Sequence, residues 1–314
     1  MAFEPPQRLL RALGETRRGG PEGADEADEW LESLPELARR AVALRELTVD
    51  RVQAPGGRSS LVVLVRRADG TPAVLKLAPE RARPEAERAA LAHWEGRGAV
   101  RLLDADAPQD GSGTDGVLLL ERLHPDVSVR SLPEAKALLE AAGTLRRLWV
   151  EPPAEPVFET VAERTGRQAE AMRATVAAGT GAEAAALVDA ALAAREELLA
   201  QPGEALLLHG TFRQSKVLAG ERVPWLAVGP DPVVGECAFD LARLVRDRVE
   251  DLIASPSGPS ITRRRIKRLA ESLEVDQERL RGWTLFRAVE SGVRAARVGR
   301  AQDSELLLEF AGWL

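Results

Sequence analysis

The spacing of apolar residues changes along the chain, and each change marks a new kind of element. Trp30, Leu31, Leu34, Leu37, Ala38 and Val42 recur at helical intervals, so a helix is expected there. Residues 47–123 read differently. Leu47-Thr48-Val49 is a short β run, Pro55-Gly56-Gly57 a turn, and Leu61-Val62-Val63-Leu64-Val65 a buried strand. Asp69-Gly70 signals a hairpin into Ala73-Val74-Leu75-Lys76-Leu77. Pro84 opens a helix that runs to about Gly96. Val100-Arg101-Leu102-Leu103 and Val117-Leu118-Leu119-Leu120-Glu121 read as two more strands across a Gly/Asp-rich loop at 106–116. Residues 132–200 are rich in Ala, Leu, Glu and Arg and read as helical, with a break at Pro152–Pro156. Residues 205–240 return to strands and loops. Residues 241–314 are helical again, interrupted at 255–259.

The sum is an α+β chain with two lobes, a small β-rich one followed by a larger, mainly helical one. Residues 1–27 combine Pro, Gly and many charges and are expected to form a flexible N-terminal extension. The N-lobe is expected at 28–124 and the C-lobe at 125–314.

Composition narrows the function classes. The chain has 314 residues, long enough for two lobes. Its net charge of −6 argues against a general nucleic-acid or anionic-membrane binder. One cysteine, Cys237, excludes an intrachain disulfide and a Cys-based zinc site, and three histidines exclude a His-rich metal centre. There is no leader-like segment, and the apolar stretch 182–200 is broken by five charges, so a cytoplasmic location is expected. Of 43 basic residues only four are lysine: Lys76, Lys136, Lys216 and Lys267. In so Arg-biased a chain, a retained lysine draws notice.

Two segments carry candidate chemistry. Lys76 lies in the third strand and Glu87 in the helix that follows. A carboxylate that orients a strand ammonium can present it to nucleotide phosphates, and the Gly56-Gly57 turn upstream can lie over them. The plain alternative is a surface lysine with an unrelated glutamate. The second segment is Leu206-Leu207-Leu208-His209-Gly210-Thr211-Phe212-Arg213-Gln214-Ser215-Lys216-Val217-Leu218. It is followed by Trp225-Leu226-Ala227-Val228-Gly229-Pro230-Asp231-Pro232, then Gly235-Glu236 and Asp240.

These motifs resemble the aminoglycoside/hydroxyurea phosphotransferases. That family carries Leu-Leu-His-Gly-Asp, then Asn-Val-Leu, then Asp-Pro-x-Pro-x-x-Gly-Asp in the same frame. The N-lobe agrees from Asp69-Gly70 through Lys76 to Glu87, Leu91, Trp94 and Gly96, and Leu119-Leu120-Glu121-Arg122-Leu123 is similar to the hinge. The resemblance covers roughly residues 26–314. It implies a bilobal protein-kinase-like fold, ATP as the nucleotide, Mg²⁺ as its metal and a small aminoglycoside-like molecule as acceptor. Lys76 would contact phosphates, Glu87 would orient it, Gly56 and Gly57 would cover the nucleotide, and the Glu121 and Leu123 backbone would meet the adenine.

The departures fall on the chemistry, within the degenerate catalytic loop 206–240. The family's catalytic aspartate is Thr211 here, its metal-binding asparagine is Lys216, its metal aspartate is Gly229, and its second histidine is Arg213. An alcohol is no general base near neutral pH, and a cation stands where a cation should bind. The resemblance therefore leads to a pseudokinase that retains nucleotide or small-molecule binding. Two alternatives stay open. One is an active ATP-dependent aminoglycoside kinase with Asp231 or Glu236 recruited for Mg²⁺. The other is a regulatory or scaffold protein with an unidentified protein partner. His209 and Asp240 read as structural residues, and Phe212, Trp225, Phe239 and Cys237 as packing residues. Glu290 and Asp303 are candidates for an acidic acceptor patch. The basic run 261–268, which mimics a DNA-binding helix, reads as a solvated face of C-lobe helices.

Overall fold

The computed structural model describes residues 3–18, 22–104, 116–155, 157–179 and 182–314. The expected loop at 106–116 lies outside these residues except for Gly116. The chain divides into two compact units, Met1–His124 with Gly220–Arg222, and Pro125–Ala219 with Val223–Leu314. Among the described residues, no helix is long and apolar enough to cross a membrane.

The N-terminal unit is built on an antiparallel sheet of β1 (Thr48–Val52), β2 (Leu61–Arg66), β3 (Pro72–Leu77) and β4 (Val117–Glu121), in that order. The β2–β3 register runs from Leu61 opposite Leu77 to Arg66 opposite Pro72. The hairpin between them is fixed by its own chemistry. The Asp69 carboxylate accepts the Thr71 N–H at 2.8 Å, and Gly70 takes φ 81°. Alternate residues Ala73, Leu75 and Leu77 join Leu61, Val63 and Val65 in one core. Lys76 falls on the other face, opposite Val62 on one side and Leu118 on the other.

Helices α1 (Gln7–Arg18) and α2 (Glu22–Leu44) supply the rest of that core. Here the structure corrects the expectation of a loose segment at 1–27. Phe3, Leu9 and Leu13 are buried together with Trp30 and Leu34. Leu9 and Leu13 stand four apart, on one helical face. Burying each large side chain contributes about 1.5–3 kcal/mol, enough to hold α1 down despite the flanking Pro and Gly residues. A second difference concerns 100–103. Only Leu102 bridges to β4, at Leu120, because the Arg101 N–H goes to the Glu121 carboxylate instead of a ladder carbonyl. Helix α3 (Pro84–Trp94) packs beside β4.

The C-terminal unit is mainly helical: α4 (Glu134–Arg146), α5 (Val161–Ala177), α6 (Ala185–Ala200), α7 (Cys237–Val245), α8 (Val249–Ile253), α9 (Gly258–Leu273), α10 (Gln277–Arg297) and α11 (Ala301–Ala311). Helix α10 is central and packs against α5, α6, α7, α9 and α11. Its Trp283 meets Phe239 and Phe286 edge-on, with ring centroids 5.2 and 5.9 Å away. The basic run 261–268 lies inside α9, whose inner face buries Thr262, Arg265, Ile266 and Leu269.

Two small pairings set the geometry of the loops. Strand β6 (Leu206–Leu208) pairs with β9 (Val233–Gly235), while β7 (Val217–Ala219) pairs with β8 (Trp225–Ala227) and lies beside β5 (His124–Ser128). Both ladders continue by one bond into the loops. The Asp231 N–H donates to the His209 carbonyl at 3.0 Å, and the Val228 N–H to the Lys216 carbonyl at 2.9 Å. The segments 209–216 and 228–232 are therefore brought side by side.

Candidate functional site

In the N-terminal unit, strand pairing on both sides of β3 fixes the Lys76 backbone, and its ammonium is ion-paired with the Glu87 carboxylate. Glu87 is 2% exposed and sits in the first turn of α3, whose first residue is Pro84. The sequence brings these two residues together as expected from their spacing. Glu121 has other partners. Its N–H donates to the Arg101 carbonyl at 2.9 Å, and Arg222 binds its carboxylate at 3.1 Å. Leu123 is buried. The Gly56-Gly57 turn is seated against the N-terminal segment. Gly56 has φ 69°, and a Cβ there would lie 3.1 Å from Pro6 Cγ and 2.9 Å from the Gln53 carbonyl. Beside it, Arg58 binds Glu15 at 2.5 Å.

In the C-terminal unit the three departures from the family pattern converge. The Lys216 ammonium donates to Thr211 Oγ1 at 2.6 Å and to the Gly229 carbonyl at 2.6 Å. A Cβ on Gly229 would lie 3.8 Å from Lys216 Nζ, so the ammonium sits where the missing side chain would point. Arg213 lies in the same loop, in extended backbone ahead of the turn that carries Lys216.

Buried groups brace this loop. His209 is fully buried, and its Nε2 donates to the Val228 carbonyl at 3.2 Å. Burial, reinforced by the Lys216 charge, holds its pKa well below the usual histidine value. The Asp240 carboxylate accepts the His209 N–H at 2.8 Å and the Gly210 N–H at 3.0 Å. Burial pushes its pKa up, although Arg287 and these two bonds oppose the rise. Arg287 lies 4.1 Å from the Phe239 ring centroid and donates to the Gly210 carbonyl at 2.6 Å. Gly210 itself has φ 75°, and a Cβ there would lie 1.9 Å from the Asp231 carbonyl, so no other residue fits. Phe212 and Phe239 are buried packing residues as expected, whereas Trp225 and Cys237 are only half-buried.

The two substitute metal ligands fare differently. Glu236 is corrected to a structural residue. Arg279 binds it at 2.5 and 2.6 Å, and Trp283 Nε1 donates to it at 2.6 Å, which occupies both oxygens. The Asp231 carboxylate is 39% exposed and has Arg164 at 3.4 Å. Arg164 also donates to the Asp231 and Pro232 carbonyls, at 3.0 and 2.9 Å. Among the described residues, no three His, Cys, Asp or Glu side chains converge as a metal site. An ammonium and a side-chain-free Gly229 in the family's metal positions are the wrong donors for Mg²⁺. The acidic acceptor patch is corrected too. Glu290 is bound by Arg294 at 2.8 Å and Asp303 by Arg300 at 2.7 Å.

Sequence reasoning missed Arg164, Arg279 and Arg287. Each reaches the loop segments from a helix distant in sequence, and no local motif marks it.

Comparison with known proteins gives the family and the fold. A family model described as aminoglycoside/hydroxyurea antibiotic resistance kinase matches residues 45–299. The streptomycin 6-kinase of Streptomyces griseus is 37% identical over 277 residues, spanning 88% of this chain and 86% of that protein. The hydroxyurea phosphotransferase of Kitasatospora aureofaciens is 36% identical over 290 residues, spanning 88% and 76%. In fold, the chain is similar to an aminoglycoside phosphotransferase APH(4)-Ia solved as a ternary complex with ADP and hygromycin B. The TM-score is 0.60 at 13% identity, over 87% of this chain and 96% of that one. With a kinase-like fold, the Lys76–Glu87 pair and a family model that spans most of its length, the chain belongs to the aminoglycoside/hydroxyurea antibiotic resistance kinases.

Proposed function

We propose that this chain is a pseudokinase of the family, one that binds ATP or a related nucleotide through Lys76 and Glu87 while phosphoryl transfer is impaired or absent. The observation that carries the reading is the Lys216 ammonium bound to Thr211 and Gly229. Loss of a general base alone costs a factor of about 10²–10⁴ in rate. A fixed ammonium beside the metal position adds repulsion. At about 4 Å and an effective dielectric near 20, a monovalent–divalent pair repels by on the order of 8 kcal/mol. Nucleotide binding then rests on the N-terminal unit's residues Gly56, Gly57, Lys76, Glu87, Glu121 and Leu123, without a tightly held Mg²⁺.

The ligand beside the nucleotide is a small molecule, by analogy with relatives named for streptomycin and hydroxyurea. The cytoplasm, where ATP is available, is the proposed location. The test is a turnover assay with ATP and Mg²⁺ against streptomycin and against hydroxyurea, run beside a known kinase of the family. No phosphorylated product, with nucleotide still raising the melting temperature, supports the reading. Product formed at a rate comparable to the control enzyme contradicts it and points to Asp231 as a recruited metal ligand.

A further inference from the structure

We propose that the cavity between helix α1 and the turn at 55–58 is a binding site for a small molecule that carries a phosphate group. The cavity has a volume of about 480 Å³ and is lined by Gln7, Arg8, Arg11, Glu15, Pro55 and Arg58. Its walls follow from the helix. Leu9, Ala12 and Leu13 are buried in the core, which leaves Arg8, Arg11 and Glu15 on a separate outer stripe at i, i+3 and i+7. The turn meets this segment at two places. Gly56 sits against Pro6, just ahead of α1, and Arg58 binds Glu15, in the second half of α1, at 2.5 Å. Arg8 and Arg11 lie between those two contacts along the chain, and both are exposed.

The charges of the lining call for an anion. Three guanidiniums stand against one carboxylate, an excess of two positive charges. The carboxylate of Glu15 is bound to Arg58. The Arg8 and Arg11 side chains make no hydrogen bond or ion pair among the described residues. Arginine keeps its charge throughout the neutral range, so the excess persists. A phosphate monoester carries about −1.5 to −2 charges near pH 7 and accepts the paired N–H groups of guanidinium forks. Cavities that hold small molecules run from about 300 to 1,000 Å³, so this one has room for an organic group on the phosphate, with Pro55 as an apolar wall. A phosphate at Arg58 competes with the Glu15 carboxylate, which restrains the affinity. Lys76 and Glu87 are not among the lining residues. The site does not depend on whether the chain transfers phosphoryl groups.

The test titrates the full chain with glycerol phosphate and, separately, with inorganic phosphate, and reads the heat of binding against sodium chloride at matched ionic strength. Saturable binding is expected, and the tighter arm tells a phosphate ester from free phosphate. Arg8→Gln combined with Arg11→Gln is expected to weaken binding about tenfold or more. Both positions are exposed and glutamine is as good a helix former as arginine, so this variant folds. Glu15→Gln removes the competing carboxylate and is expected to tighten binding severalfold. Lys76→Met combined with Glu87→Leu is expected to leave it unchanged, which separates this site from the proposed nucleotide site. No saturable binding beyond chloride in either arm, equal affinity in the double arginine variant, weaker binding in Glu15→Gln, or loss in the Lys76 and Glu87 variant would overturn the assignment.

Discussion

The Lys216 ammonium lies 2.6 Å from the carbonyl oxygen of Gly229, a residue whose own side chain is absent where the family carries an aspartate. With Thr211 at the same distance, the three departures form one hydrogen-bonded unit instead of three scattered losses. An ammonium held this way supplies a fixed positive charge at a place the family uses for a metal.

Removing that charge has a cost in stability. Lys216→Met deletes two charge-assisted bonds and leaves the Gly229 carbonyl only the long bond from Thr211 Oγ1 at 3.4 Å. The loss is expected to be about 1–3 kcal/mol, at the low end because the site is part-exposed. Urea unfolding of the variant checks it, and an unchanged midpoint would show the contacts to be incidental.

The Lys76–Glu87 pair separates stability from binding. Lys76→Met strands a buried carboxylate and is expected to cost about 3–5 kcal/mol. The double variant Lys76→Met with Glu87→Leu removes the stranded charge and recovers much of that stability. Neither variant regains the nucleotide-dependent rise in melting temperature. Recovery of that rise in the double variant would show that the pair does not contact phosphate.

His209 predicts an acid limb. Its pKa in the folded chain lies well below 6.5, so the unfolded chain binds a proton that the folded chain refuses. Stability from this group is full above about pH 6.5 and falls as pH drops toward the depressed value, by up to about 1.4 kcal/mol per pH unit. Urea midpoints between pH 7 and 5 measure the slope. In His209→Gln the slope should fall by one proton, and an unchanged slope would assign the limb to another group.

Glu236 separates a structural carboxylate from a metal ligand. Glu236→Gln weakens the bonds to Arg279 and Trp283 and is expected to destabilise by about 1–3 kcal/mol. The response of the protein to Mg²⁺ should not change. A Mg²⁺ response present in the native chain and absent from this variant would contradict that expectation and return Glu236 to the metal site.

Local features were legible in the sequence. The Asp69-Gly70 hairpin, the alternation in β3 and the spacing from Lys76 to Glu87 each depend on neighbours close in the chain. The identity of Thr211, Lys216 and Gly229 as departures was also legible, through resemblance to the family frame. That Lys216 reaches the other two was not, because it follows from the β6–β9 and β7–β8 pairings together. The arginine braces were hidden for the same reason: Arg287 reaches Gly210 across 77 residues. Helix α1 was obscured by surrounding Pro and Gly residues, although Leu9 and Leu13 already formed a buried stripe.

The most direct measurement is calorimetric titration of ATP, with and without Mg²⁺, into the native chain and into the triple variant Thr211→Asp, Lys216→Asn, Gly229→Asp. Gly229 lies at φ 61°, a region that aspartate enters at modest cost. The native chain is expected to bind ATP with an affinity that Mg²⁺ does not raise. The triple variant is expected to bind more tightly when Mg²⁺ is present. Strong Mg²⁺ dependence in the native chain would contradict the account, as would a triple variant that folds but gains none.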